Sequence, residues 1–220
     1  MVYDTILFDF DGTLIPSLEL WLGSFQYALA KFGRAVPEEK ILTRFFYREF
    51  EDVAQEFGLP SGEEFGNHVH DGLMQAFGTV QLYPQAREVL HWCRAHNLAT
   101  ALVTSSPRPQ VEHALAQLGI ANSFHAIVTG NDITHYKPHP EPVLLALKKL
   151  DRQPERALFI GDYLADVLAG QAARTHTALF LPPGHAKFYD FATLRALGPT
   201  FEFTQWNELQ EHLQLHAILA

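Results

Sequence analysis

The sequence predicts an α/β fold: a parallel sheet flanked by helices, with an all-helical segment inserted after the first strand. Three observations carry this. Short runs rich in Ile, Val, Leu and Phe recur along the chain and stop at polar or turn residues, as strands buried on both faces do. Segments with helical apolar spacing lie between them, and such alternation implies βαβ units. Residues 16–82 break the rhythm, because helical patterns follow one another there with no convincing strand.

The strand-like runs are TILFDF (5–10), LATALVTSS (98–106), HAIVTG (125–130), RALFIGD (156–162) and HTALFL (176–181), with TFEFT (200–204) weaker. Within the insertion, Leu18, Trp21, Leu22, Phe25 and Leu29 mark one helix face. Leu42, Phe46, Phe50, Val53 and Phe57 mark a second, and Phe65, Val69, Leu73 and Phe77 a third. These aromatic stripes read as packing faces. In the remainder, 84–97 carries Ala86, Val89, Leu90 and Cys93 at helical spacing. Residues 107–119 begin with prolines and stop at Gly119, and 140–150 also begin with prolines, the expected start and stop signals. The domains expected are an α/β core of residues 1–15 and 83–220 and a helical domain of residues 16–82.

A length of 220 residues suits one domain carrying an insertion, and 47% hydrophobic residues is a globular composition. The net charge of −9 argues against a nucleic-acid partner. An anionic small substrate stays compatible with it, since a bound cation overrides net charge locally. The single cysteine, Cys93, excludes an internal disulfide and reads as a semi-buried helix residue. The chain shows no signal-peptide pattern and no stretch near 18 apolar residues. A soluble cytoplasmic protein without a membrane partner is expected, as a monomer or weak homodimer.

Four places stand out, each at or just beyond the end of a strand-like run: Asp9 and Asp11; Thr104; Lys137; and Asp162 with Asp166. In an open parallel sheet, ligands bind at the carboxyl ends of strands, so groups far apart in sequence can converge. Asp9 is the candidate nucleophile toward phosphorus and Asp11 its acid–base partner, first protonating a leaving alkoxide and then deprotonating water. If the strand continued that far, its alternation would point both the same way. Gly12 lets the backbone turn sharply beside the phosphoryl group. A carboxylate attacking a phosphate meets like-charge repulsion, which a divalent ion relieves. Mg²⁺ is the expected cofactor, held by Asp9, Asp162, the backbone carbonyl of Asp11, and Asp166 directly or through water. Lys137 supplies a fixed positive charge, and the Thr104 hydroxyl, with Ser105 and neighbouring amides, binds phosphoryl oxygens. Taken singly, each of these is an ordinary turn, cap or loop residue; the ordered set carries the reading.

With these residues in place, the chain resembles the haloacid dehalogenase-like hydrolase superfamily. DFDGTL (9–14) is similar to its first motif, LVTSS with Thr104 to the second, Lys137 in KPHPEP to the third and GDYLAD (161–166) to the fourth. The first and fourth are specific; the second would be uninformative alone. The resemblance covers essentially the whole chain. It implies a Rossmann-like core with the first strand central, Mg²⁺ dependence and an aspartyl-enzyme intermediate. A helical insertion between the first two motifs resembles the phosphoglycolate phosphatase-like branch, where it is a mobile cap that closes over a small phosphorylated metabolite.

Some positions depart from the family pattern. Pro16 stands where many relatives carry an acidic residue, and proline fixes φ and removes an amide donor. Gln85 stands where glycine is frequent, and AGQAARTHTA lacks a second Ala-Gly step. Asp11 argues against the dehalogenase and phosphonate-cleaving relatives, which replace it. A phosphoglucomutase-like transferase keeps both aspartates and is the alternative; a non-catalytic regulatory protein on the same fold is the reading from a different class. Lys40, Arg44 and Arg48 fall at i, i+4 spacing and read as a solvated helix face pairing with Glu51 or Asp52. His68 and His70 do not share a helix face, which argues against a metal pair. His135 and His139 flank Lys137 and read as loop residues.

Overall fold

The computed structural model describes residues 3–46, 48–77 and 80–216. The chain divides into two compact units, Met1–Pro16 with Gln81–Ala220, and Ser17–Val80.

The first unit holds β1 (Thr5–Phe8), then, counting four helices of the second unit as α1 to α4, α5 (Ala86–Ala95), β2 (Ala99–Val103), α6 (Arg108–Leu118), β3 (Ala126–Val128) and α7 (Glu141–Leu150). It continues through β4 (Ala157–Gly161), α8 (Leu164–Ala172), β5 (His176–Phe180), α9 (Phe191–Arg195), β6 (Phe201–Phe203) and α10 (Trp206–His216). All strand pairs are parallel, in the order β3-β2-β1-β4-β5-β6. This is the Rossmann-like, helix-flanked sheet that the sequence predicts. Every residue of β1, β2 and β4 is buried, which is why those runs are mostly apolar rather than alternating, with Thr5 and Thr100 the buried polar residues in them. Leu7 lies in one core layer with Ala101, Val103, Phe159 and, from α7, Val143, Ala146 and Leu147. Phe8 turns to the other face, where Trp206 of α10 stacks on it with ring centroids 6.2 Å apart. Connections run outward from β1 in both directions, so the order reverses between β1 and β4. A crevice at that switch point is where such sheets bind ligands.

Helix ends follow the local signals. Proline stands at the first turn of α6 and of α7, and Gly119 closes α6 at φ +65°. Cys93 is fully buried, and burial pushes its thiol up to about 12, so it is inert. Gln85, ahead of α5, sits at φ +68°, a left-handed conformation that costs an L-residue free energy and glycine almost none. Gln85→Gly is therefore expected to stabilise the chain by roughly 0.5–1 kcal/mol. The check is a higher urea midpoint at unchanged slope; a lower midpoint would contradict it.

The second unit is helical among the described residues: α1 (Leu18–Lys31), α2 (Glu38–Arg44), α3 (Phe50–Phe57) and α4 (Gly62–Phe77). The faces read for α1 and α4 hold, with Phe25, Leu29, Phe65, Val69 and Leu73 buried; the side chain of Phe77 lies outside the described residues. The middle face is corrected. It belongs to two helices: Val53 in α3 is buried as expected, but toward α2 the buried residues are Ile41 and Phe45, with Leu42 and Phe46 only half-buried. The Phe45 and Phe57 rings pack at a tilt with centroids 4.6 Å apart, whereas residues twelve apart in one helix would be separated by about 18 Å along its axis. The chain must double back to make that contact. Arg48 consequently leaves the face expected for Lys40 and Arg44. It donates to the Arg44 carbonyl at 3.0 Å, and both arginines pair with Glu56, not with Glu51 or Asp52. Glu51 instead accepts the Gly62 amide at 2.9 Å. No helix among the described residues is long and apolar enough to cross a membrane.

Candidate active site

The site is built where β1, β2 and β4 end. Asp9 follows β1 directly, and its amide still donates to the Ile160 carbonyl of β4 at 2.8 Å. The strand stops there, so alternation does not decide where Asp11 points. Instead the chain curls: the amides of Thr13, Leu14 and Ile15 all donate to the Phe10 carbonyl, and that of Gly12 donates back to Ile15 at 2.9 Å. Gly12 sits at φ +74°, and a Cβ there would lie 2.3 Å from Asp162 Oδ2. Only glycine permits both the turn and the close approach.

Four charged side chains converge within this unit. Lys137 Nζ donates to Asp9 Oδ1 and Asp166 Oδ1, each at 2.6 Å, and reaches the Val103 carbonyl at 3.4 Å. Asp166, in the first turn of α8, accepts the Asp162 and Tyr163 amides on Oδ2. Asp162 Oδ1 accepts the Thr13 hydroxyl at 2.9 Å and Oδ2 accepts the Tyr189 hydroxyl at 2.8 Å. Asp9 Oδ2 keeps only a weak 3.4 Å contact from Thr13. Asp9, Asp162 and Asp166 are all buried, and one oxygen from each lies within 4.8 Å of the others.

The electrostatics follow from burial. Asp9 is pushed up to about 7, first by burial, with Lys137 opposing and Asp166 adding. Asp162 is raised well above the ordinary carboxylate range by burial and by the Asp166 and Asp9 charges. Burial alone would lower the Lys137 ammonium; Asp166 and Asp9 more than reverse this, so it stays charged. Three buried carboxylates thus share one ammonium's charge, which directly pairs with only Asp9 and Asp166. An all-oxygen donor set with surplus negative charge fits a hard divalent cation such as Mg²⁺.

The remaining expected residues are placed differently. Asp11 is not in the converging trio: its Oδ2 accepts the Ser106 hydroxyl at 2.6 Å. Thr104 is buried and its Oγ1 accepts the Ser106 amide at 3.0 Å, which leaves its own proton to donate. Ser105 is exposed. Thr13, Ser106 and Tyr189 were not foreseen, although Thr13 lies inside the DFDGTL run. Nor was His185, whose Nδ1 is 3.6 Å from Asp162 Oδ2 while its Nε2 meets the Tyr83 hydroxyl at 2.8 Å. Burial pushes the His185 imidazole down to about 4, so it is neutral. The available signal was position: His185 and Tyr189 follow β5 at the same sheet edge.

The sequence profile described as "Haloacid dehalogenase-like hydrolase" matches residues 6–180. The chain belongs to this family. As a member it is an enzyme of the hydrolase class. Among its relatives, the pyrophosphatase PpaX of Oceanobacillus iheyensis is 32% identical over 181 residues, spanning 79% of this chain and 81% of that protein. A family hydrolase from Deinococcus radiodurans R1, solved with bound phosphate and sodium, superposes with a TM-score of 0.80 at 27% identity, covering 97% of this chain and 96% of the other. A proposed β-phosphoglucomutase from Thermotoga maritima superposes at 0.78 with 23% identity, covering 94% and 99%; that likeness is one of fold.

Proposed function

We propose that this enzyme is a Mg²⁺-dependent phosphatase that hydrolyses a small phosphate ester or anhydride through an aspartyl-phosphate on Asp9. The observation that carries this is the convergence of Asp9, Asp162 and Asp166, two of them (Asp9 and Asp166) held by Lys137, with Asp9 Oδ2 left nearly unengaged. Lys137 holds Oδ1, which turns Oδ2 outward as the attacking atom. Attack on phosphorus forms the Asp9–phosphorus bond and breaks the bond to the leaving oxygen, which takes the proton of Asp11. Water then attacks phosphorus, Asp11 accepts its proton, and phosphate leaves as Asp9 is restored. Ser106 orients Asp11 for both transfers, and Thr104 donates to a phosphoryl oxygen. Mg²⁺ bound by Asp9, Asp162 and Asp166 supplies the charge that offsets repulsion between carboxylate and phosphate. Thr13 and Tyr189 fix the Asp162 carboxylate for that role.

A purified-enzyme panel with phosphate detection tests the reading. It includes pyrophosphate, which the PpaX relative's name indicates, together with phosphoglycolate and sugar phosphates. Mg²⁺-dependent phosphate release from one of these is expected. Conversion of β-glucose 1-phosphate to glucose 6-phosphate without release would make it a mutase, and no turnover by folded protein on the whole panel would remove the phosphatase reading.

Two expected outcomes follow from the geometry. Asp11→Asn slows esters with poor alkoxide leaving groups far more than p-nitrophenyl phosphate, whose leaving group needs little protonation; equal losses would argue against Asp11 as the acid. Mg²⁺ binding releases protons near neutral pH, because Asp9, pushed up to about 7, is partly protonated beforehand and must ionise to ligate. Apparent Mg²⁺ affinity therefore rises between about pH 6 and pH 8. Calorimetry in buffers of different ionisation enthalpy reads the released proton, and proton uptake would contradict the assignment.

A further inference from the structure

The loop that carries Lys137 also carries His135, His139 and Glu141. His135 Nδ1 is 2.7 Å from Glu141 Oε2. The same carboxylate accepts the Thr134 amide on Oε1 at 2.8 Å and the His135 amide on Oε2 at 3.1 Å. The Glu141 amide meets His139 Nδ1 at 3.2 Å, and the two imidazole rings lie with centroids 4.6 Å apart, tilted by 33°. One ligand atom from each of the three residues lies within 4.8 Å of the other two.

We propose that His135, His139 and Glu141 form a second cation site, distinct from the buried carboxylates and selective for a zinc-class transition ion. Closing the loop accounts for the Glu141 carboxylate on the Thr134 and His135 amides. It does not account for the His135 ring on that same carboxylate with the His139 ring packed beside it, a ligand atom of each within 4.8 Å of the others. Two nitrogens and one oxygen, with the remaining positions open to water, are the donor set of a three-ligand zinc site. Imidazole suits Zn²⁺, Cu²⁺ and Ni²⁺, whereas the all-oxygen trio suits Mg²⁺. Bonds of about 2.0–2.2 Å bring ligand atoms to roughly 3–4 Å of one another. Both histidines are exposed, so small ring rotations close the remaining gap without disturbing a core. The His135–Glu141 hydrogen bond already has the direction the ion would take; the ion replaces the proton between them. Hydrogen bonds, first from the Thr134 amide and then from the His135 ring, hold the Glu141 carboxyl below its usual range, so the anionic ligand is present at neutral pH. The ligands bracket Lys137 in sequence, so occupancy fixes the loop backbone on both sides of it.

The test uses the full chain, stripped with chelator, saturated with Mg²⁺ to fill the carboxylate site, and titrated with Zn²⁺ by calorimetry. Co²⁺ follows as a second probe, read by visible absorption from nitrogen-ligated ion. The wild type is expected to bind one zinc equivalent more than a His135→Ala/His139→Ala double variant. His139→Ala alone weakens that equivalent by at least about tenfold, and Asp162→Asn retains it. Equal zinc stoichiometry and affinity in wild type and the double variant would overturn the site. Loss in Asp162→Asn with retention in the double variant would overturn it too, by placing the ion on the carboxylates. Should circular dichroism show the alanine pair unfolded, His135→Gln/His139→Gln is read in its place. The readout is independent of turnover, so a protein inactive on every phosphate ester that still bound this equivalent would lose the phosphatase reading and keep the second site.

Discussion

Asp9→Asn is expected to reduce phosphate release by ten-thousandfold or more, the scale on which loss of a covalent nucleophile acts, while the fold stays intact. The amide is nearly isosteric with the carboxylate and can still accept the Lys137 ammonium, which retains Asp166 at 2.6 Å. It cannot attack phosphorus. Burial already disfavours the Asp9 charge, with Lys137 opposing and Asp166 adding to the cost. Removing that charge relieves the crowding, so metal-free stability holds or rises. An active-site residue that burdens the fold and carries the chemistry predicts this opposite movement of activity and stability. Turnover is read on the panel's substrates and stability by urea unfolding. Wild-type turnover in Asp9→Asn would remove the nucleophile assignment, and a large stability loss would show that Asp9 is chiefly structural.

How much of this is legible in the sequence depends on the range of the interaction. The strands were legible because a doubly covered parallel strand must be largely apolar, and ILF of β1 and ALFIG of β4 are. The ends of α6 and α7 were legible because proline and glycine act on their own backbone. The break between α2 and α3 was not: Ile41 and Leu42, or Phe45 and Phe46, are equally apolar, and tertiary contacts of Phe45 with Phe57, Phe65 and Phe25 select the register. The same division runs through the site. Asp9, Lys137, Asp162 and Asp166 announce themselves by residue type at strand ends. Ser106 on Asp11 and Tyr189 on Asp162 are hydroxyls of common type, whose importance comes from partners 95 and 27 residues away. Sequence pattern fixes which side chains reach the carboxyl edge of the sheet, and leaves open which neutral groups steer them there.

Lys137→Met carries the other large effect, and its pH dependence separates an electrostatic role from simple packing. Methionine fills much of the volume of the lysine stem, so a packing role predicts a small, pH-independent change. The geometry predicts otherwise. Lys137 is 7% exposed and donates at 2.6 Å to both Asp9 and Asp166; removing it leaves buried carboxylates without their ammonium, a change that costs about 3–5 kcal/mol when the charges persist. They need not persist, because Asp9, already pushed up to about 7, rises further once Lys137 no longer opposes burial. A carboxyl raised in the folded state binds more protons there than in the unfolded chain, so stability falls as pH rises from the unfolded value, about 4, through the folded one. The metal-free variant is thus expected to be near wild-type stability at about pH 4 and to lose progressively more toward pH 8. Added Mg²⁺ recovers part of the deficit, since a cation bound by the same carboxylates replaces the missing charge. Activity falls by about a hundredfold or more even with saturating Mg²⁺, the loss typical of removing a preorganised charge from developing phosphoryl oxygens. Lys137→Arg is not a rescue, because a planar fork does not fit between two carboxylates spaced for a compact ammonium. Urea unfolding across pH, with and without Mg²⁺, is the measurement. A deficit that ignores both would mean that the ammonium is packed there, and that the charge around which this site is drawn lies elsewhere.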